Sequence, residues 1–225
     1  MSEIQSSECW VVEGLISCGK TTLLKTILDS DIVRERFDEV ILYPEPIKKK
    51  TLDIYLGNRA DYALSFQVIT LIKRLSNVKD IRRLLTEKKR RLILMDRGVL
   101  GDRAFETMQV NEGFFTETDH AYYMEEIGEY DGELAKLLAD AMFRTIYLRC
   151  SPATAFRRLK MRGDPAEVAG YTLKYFEELY KAHEAILARP GIVQIDWEND
   201  RVIENSRLSA DDVRGFLEKI NFEKK

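Results

Sequence analysis

The chain has 225 residues, 45% apolar and 32% charged, enough for one sizeable α/β domain with a real core and no case for two. Its net charge of −3 supplies no electrostatic reason to expect a nucleic-acid polymer as partner, although small anions held by local positive charge stay within reach. Three widely spaced cysteines (Cys9, Cys18, Cys150) imply neither a disulfide framework nor a zinc site, the polar opening MSEIQSSE argues against a signal peptide, and no apolar run approaches a membrane span; a cytoplasmic protein without membrane contact is expected.

Residues 9–13 (CWVVE) read as a strand, followed by a glycine-bearing turn and a helix over 20–28. Residues 39–43 (EVILY) form a second strand stopped by Pro44. Helical periodicity covers 60–75, a further helix is expected over 80–88, and a third strand at 91–95 (RLILM). A long helical tract spans 118–142 with a weak point at Gly132, then a strand at 145–149. Ser151-Pro152 opens the next helix, Ser as cap and Pro in the first turn. A helix over 173–187, a strand at 191–195 and a helix over 210–220 complete the pattern. Five short strands separated by helices predict an α/β fold, a parallel sheet covered on both faces. The basic runs at 48–50 and 88–91 read as solvated surface.

Gly14-Leu15-Ile16-Ser17-Cys18-Gly19-Lys20-Thr21 fits G-x-x-x-x-G-K-[ST], directly after a strand and directly before a helix. Glycines let successive backbone N–H groups turn around phosphate oxygens, and the helix N-terminus adds its positive end. Lys20 can reach the β- and γ-phosphates and the Thr21 hydroxyl can bind Mg²⁺, with Ser17, Cys18, Gly19 and Thr22 in the same phosphate cradle. The guanine-reading N-K-x-D is absent, since Asn77-Val78-Lys79-Asp80 has the wrong order. The size favours an ATP-using kinase of a small metabolite.

The second strand runs into Tyr43-Pro44-Glu45-Pro46, which places Glu45 beyond a strand's carboxyl end, where parallel sheets bind ligands. A carboxylate there can take the proton of an attacking hydroxyl. The third strand closes on Asp96-Arg97-Gly98: Asp96 stands where P-loop proteins keep the second carboxylate on the Mg²⁺ side, and Arg97 can neutralise charge on the transferred group.

These motifs, collinear over almost the whole chain, resemble those of the deoxynucleoside kinase family, the enzymes related to deoxycytidine and deoxyguanosine kinase. The resemblance is carried by Glu13 to Thr21, the P-E-P at 44–46, Phe66-Gln67, Asp96-Arg97 followed by Asp102-Arg103, Thr116 to Tyr123, Tyr147 to Pro152, and Lys181-Ala182-His183-Glu184. It implies a single P-loop kinase domain over 1–225 with an arginine-bearing lid at about 158–170, using ATP and Mg²⁺ to phosphorylate a deoxynucleoside, and a homodimer joined by helices within 60–75 and 118–142. Glu45 would be the base on the 5′-hydroxyl, with Arg97 beside it; Gln67 and Asp102 would read the base edge, and Phe66 would pack near the base. Arg74 would pair with Asp102, a combination that implies a base with an exocyclic amino group rather than thymine. Tyr55 would touch the 3′-hydroxyl with Glu167 as its partner, Arg162 would clamp the phosphates, Arg158 would stack near the adenine, and Asp200-Arg201 would contact it.

Several positions depart from the family pattern. Gly98 replaces a serine, Asp164 a basic lid residue, and Glu106 a pocket aromatic, with Phe105 adjacent. The alternative enzyme is a thymidylate-type nucleoside monophosphate kinase, which normally carries an acid where Ile16 stands and does not need P-E-P; a P-loop switch that transfers nothing to a small molecule is the third reading. Cys18, at a helix N-terminus, is a candidate for a reactive thiol.

Overall fold

The computed structural model describes residues 7–198 and 208–222. Strands β1 (Glu8–Gly14), β2 (Glu39–Tyr43), β3 (Arg91–Asp96), β4 (Met142–Arg149) and β5 (Val193–Asp196) form a parallel sheet in the order β2-β3-β1-β4-β5. Alternation along the strands splits the core in two. Trp10 and Val12 of β1, with Leu92 and Leu94 of β3, pack with Leu23, Phe176 and Phe216. Cys9 and Val11, with Ile93 and Met95, pack on the other face with Leu71, Val78, Tyr123 and Ile127.

The helices among the described residues are α1 (Lys20–Leu28), α2 (Asp31–Arg34), α3 (Lys49–Gly57), α4 (Arg59–Leu85), α5 (Val99–Asn111), α6 (Glu117–Asp140), α7 (Pro152–Arg162), α8 (Pro165–Gly170), α9 (Leu173–Leu187) and α10 (Ala210–Lys219). The two helices expected between residues 60 and 88 are one, because the buried positions Ala63, Gln67, Thr70, Arg74, Val78 and Ile81 continue a single stripe through the expected gap. Gly132 does not interrupt α6, whose buried Tyr123, Ile127, Tyr130 and Leu137 keep one face against the core. The Thr116 to Tyr123 motif contains the start of that helix: Thr116 and Asp119 form a reciprocal capping box. Ser151 caps α7 as expected, accepting from the Thr154 amide at 3.3 Å.

Strand β1 lies between β3 and β4, so the order of strands reverses there and the loop after β1 opens into the crevice at the sheet's carboxyl edge. Residues 44–46 follow β2 and residues 97–98 follow β3 at that same edge. Among the described residues, no helix is long and apolar enough to cross a membrane.

Candidate active site

A cavity of about 460 Å³ opens at this edge, a size suited to small-molecule ligands. Ser17, Gly19, Lys20, Thr21 and Thr22 line its donor end. The loop needs left-handed backbone: Gly14 and Gly19 have φ of 147° and 110°, and a Cβ on Gly14 would lie 2.7 Å from the Leu148 carbonyl oxygen. Lys20 Nζ donates to the carbonyls of Leu15 at 2.8 Å and Gly14 at 3.2 Å, folded onto the loop that would cradle phosphate. Cys18 is fully buried in the core, so the thiol reactivity expected from its helix N-terminal position is closed off by packing.

Thr21 Oγ1 donates to Asp96 Oδ2, which brings together the two residues expected on the metal side. Asp96 Oδ1 is buried with no hydrogen-bond partner. A hydroxyl beside a carboxylate with an orphaned oxygen fits Mg²⁺, which takes few protein ligands and completes its shell with water and phosphate.

Arg97 has φ of 67°, a left-handed conformation that costs a non-glycine residue on the order of 1–3 kcal/mol. Three bonds hold it there. Its amide donates to Val12 O at 3.0 Å, its Nη1 donates to Gly14 O at 2.6 Å, and its carbonyl accepts from Arg74 Nη1 at 2.9 Å. So fixed, its guanidinium lies 3.2 Å from Glu45 Oε1 and 5.1 Å from the centre of the Phe105 ring. Desolvation works to raise the Glu45 carboxyl, but Arg97, Lys20, Arg74 and Arg162 together hold it below its ordinary value.

At the acceptor end Glu45, Tyr55, Phe66, Gln67, Arg97 and Asp102 line the cavity. Arg74 and Asp102 make the expected bidentate pair, Nη2 to Oδ1 at 2.9 Å and Nε to Oδ2, both buried. Burial pushes the Asp102 carboxyl up against the pull of Arg74. Tyr55 stacks on Phe66 with ring centres 4.3 Å apart, and its hydroxyl accepts from Gln109 Nε2 at 2.7 Å. Gln109 in turn accepts from Gln67 Nε2 at 3.2 Å. Gln109, also on the cavity wall, was not anticipated; its position on the same face of α5 as Asp102 and Phe105 was the available signal. Phe105 lines the cavity, whereas the buried Glu106 turns to His120 Nδ1.

The lid differs from expectation in its pairings. Glu167 bonds Arg162 rather than Tyr55, and both Arg162 and Glu167 border the cavity. Arg158, expected to stack near an adenine, is mostly buried but borders the cavity with Arg162; its Nη1 donates to Cys18 O of the phosphate loop at 2.7 Å and lies 3.4 Å from Cys150 Sγ. Asp164 caps α8 and pairs with Lys49 at 2.9 Å, so this acid ties the lid to the basic start of α3. Asp200 and Arg201 lie outside the described residues.

Behind the walls, Glu13 Oε1 accepts from the amides of Gly98 at 2.8 Å and Gly101 at 3.0 Å, joining the end of β1 to the start of α5. Burial raises its carboxyl to about 7. A Cβ on Gly98 would lie 2.8 Å from Val11 Cγ1, which accounts for glycine where the family has serine. A Cβ on Gly101 would overlap Glu13 Oε2. Gly101→Ala is therefore expected to cost about 1–3 kcal/mol, read as a lower denaturation midpoint in urea; an unchanged midpoint would refute the close fit. The motifs at 147–149 and 181–184 meet as Arg149 and Tyr147 bond Glu184, at 2.6 Å and 2.9 Å. His183 is buried between Phe105 and Tyr147, and burial lowers its imidazole to about 3, so it supports the Phe105 wall as a neutral ring.

Comparison with known proteins agrees with this geometry. A deoxynucleoside kinase family model matches residues 10–217. No curated protein matches the sequence. Among solved structures, a deoxyadenosine kinase from M. mycoides with bound dCTP is similar with a TM-score of 0.66 over 95% of this chain and 99% of the other; at 20% identity that likeness speaks for the fold alone. With the match spanning nearly its whole length, the chain belongs to the deoxynucleoside kinase family and is an ATP-dependent nucleoside kinase.

Proposed function

We propose that the protein transfers the γ-phosphate of ATP to the 5′-hydroxyl of a deoxynucleoside whose base carries an exocyclic amino group. The observation that carries this reading is the convergence on one cavity of the phosphate loop, the Glu45–Arg97 pair and the wall containing Gln67 and Asp102. Glu45 takes the hydroxyl proton while the bond from that oxygen to the γ-phosphorus forms and the bond to the β-phosphate oxygen breaks, giving the nucleoside 5′-monophosphate and ADP. Lys20 and Arg97 offset charge on the moving phosphoryl group, and Arg162, freed from Glu167 when the 158–170 lid closes, clamps it against water. Thr21 and Asp96 would hold Mg²⁺, which neutralises the β- and γ-phosphate oxygens. The Arg74–Asp102 pair supports the amino-bearing base: deoxycytidine, deoxyadenosine or deoxyguanosine rather than thymidine.

Incubation with labelled ATP and a panel of deoxynucleosides and monophosphates tests this. Labelled monophosphates are expected. Labelled diphosphates would replace the reading with a monophosphate kinase, and labelled inorganic phosphate alone with a switch.

The reading extends to a single-domain cytoplasmic enzyme that works as a homodimer. Tyr62, Ile69 and Ile72 of α4 are exposed along one side of the helix, and α6, which packs on α4, exposes Tyr122. Ile72→Glu should convert a dimer to monomers in light scattering; a wild type that is already monomeric would remove the dimer.

A further inference from the structure

We infer that Gln109 is a specificity-determining residue: it pins the side-chain amide of Gln67 in one orientation, so that the cavity favours bases carrying an amino group over their keto counterparts. The inference rests on the deoxynucleoside kinase reading and adds to it a residue that no motif marked.

A glutamine facing a base is ambidextrous. Its amide offers an acceptor and a donor side by side, and a half-turn exchanges them. With the oxygen toward the exocyclic position, it accepts from an amino group and donates to the adjacent ring nitrogen, as for adenine or cytosine. Flipped, it donates to a keto oxygen and accepts from the adjacent ring N–H, as for hypoxanthine or uracil. An unrestrained Gln67 would serve both classes.

Here Gln67 is restrained. Gln109 is wholly buried, so its amide has no water to turn to and must find partners in the protein. At one end its Nε2 donates to the Tyr55 hydroxyl at 2.7 Å, and Tyr55 is itself held by stacking on Phe66 at 4.3 Å. At the other end its Oε1 accepts from Gln67 Nε2 at 3.2 Å. The relay runs across three helices, α3, α5 and α4, in one direction. One hydrogen of Gln67 Nε2 is committed to Gln109, and Gln67 itself lines the cavity. The acceptor and the second Nε2 hydrogen remain for the base, the pattern that complements an amino group beside an unprotonated ring nitrogen. Flipping Gln67 would set two oxygens against each other unless Gln109 flipped as well, and a flipped Gln109 would require the Tyr55 hydroxyl to become the donor. The neighbouring Asp102 is held by Arg74 through both carboxylate oxygens and as an ionised carboxylate can only accept, which leaves Gln67 as the orientable reader of the base edge.

Matched substrate pairs that differ only in this feature test it: deoxyadenosine against deoxyinosine, and deoxycytidine against deoxyuridine. The wild type is expected to favour the amino partner in kcat/KM by roughly 10- to 100-fold. Gln109→Leu, which releases Gln67, is expected to reduce that ratio about tenfold or more, mainly through the nucleoside KM, with the KM for ATP unchanged. Gln109→Glu, assayed at a pH high enough to ionise the new carboxyl, should preserve the ratio, because a carboxylate can only accept and still obliges Gln67 to donate. A Gln109→Leu ratio equal to wild type overturns the inference, as does an equal loss in Gln109→Glu. A wild type that prefers the keto partner overturns it while leaving the kinase reading intact. A wild type that phosphorylates no deoxynucleoside sinks both.

Discussion

Glu45→Gln is expected to lower kcat by about 10²-fold or more while ATP still binds. The substitution keeps the shape of the side chain and removes the only property the reaction asks of it, a lone pair able to accept the 5′-hydroxyl proton. The surrounding charge explains why the carboxylate is available. Desolvation favours the protonated acid, but Arg97, Lys20, Arg74 and Arg162 overcome it and hold the carboxyl below its ordinary value of 4.5. The base is therefore ionised throughout the neutral range, and the acid limb of kcat/KM that reports it should lie below pH 4.5. Stopped-assay turnover of the variant, with ATP affinity from fluorescence or calorimetry, separates chemistry from binding. Near-normal turnover would remove Glu45 as the base, and an acid limb near neutrality would contradict the electrostatic account.

The second large effect concerns stability as well as activity. Asp102→Ala would strand the Arg74 guanidinium in a site where its side chain is 1% exposed, and removing one partner of such a buried pair is expected to cost about 3–5 kcal/mol. Replacing both partners, as in Arg74→Leu with Asp102→Ala, should recover most of that loss, since an apolar pair needs no compensation for buried charge. Activity should not return with it. Arg74 Nη1 also holds the Arg97 carbonyl at 2.9 Å, and without that bond the left-handed turn aiming Arg97 at Glu45 loses one of its three restraints. Urea unfolding of the two single variants and the double variant, analysed as a cycle, gives the coupling. Additive losses would mean that the pair is not acting as a unit.

Much of this site was legible before any coordinates. A loop cradling phosphate has to combine glycines, a lysine and a hydroxyl at fixed spacing between a strand and a helix, and the chain carries that string at 14–21. Strands of a buried parallel sheet are short continuous apolar runs, so all five stood out, though β4 begins earlier than expected, at Met142 rather than 145, and β5 moved from 191–195 to Val193–Asp196. Less legible was α5. Its inward face carries Asp102, Glu106 and Gln109, all buried polar residues, and an apolar-periodicity reading takes such a face for a loop. Gln109 was missed with the helix that carries it.

The lid shows the same division. The spacing of Arg158 and Arg162 put both on one side of α7 as candidates for ATP. Both do border the cavity, and packing gave them different partners: Arg158 bonds the Cys18 carbonyl of the phosphate loop, while Arg162, half-exposed at the helix end, reaches Glu167.

Local chemistry thus determined the phosphate loop, the P-E-P carboxylate and the Asp96–Arg97 corner, because each needs particular residue types at short range and the chain itself supplies the spacing. The tertiary structure decided what depends on approach between distant segments. It set Gln109 between Tyr55 and Gln67, Glu13 beneath Gly98 and Gly101, and Arg74 across both Asp102 and the Arg97 carbonyl. Those contacts join residues from separate elements, and a buried polar group takes whatever partner packing brings within hydrogen-bond reach.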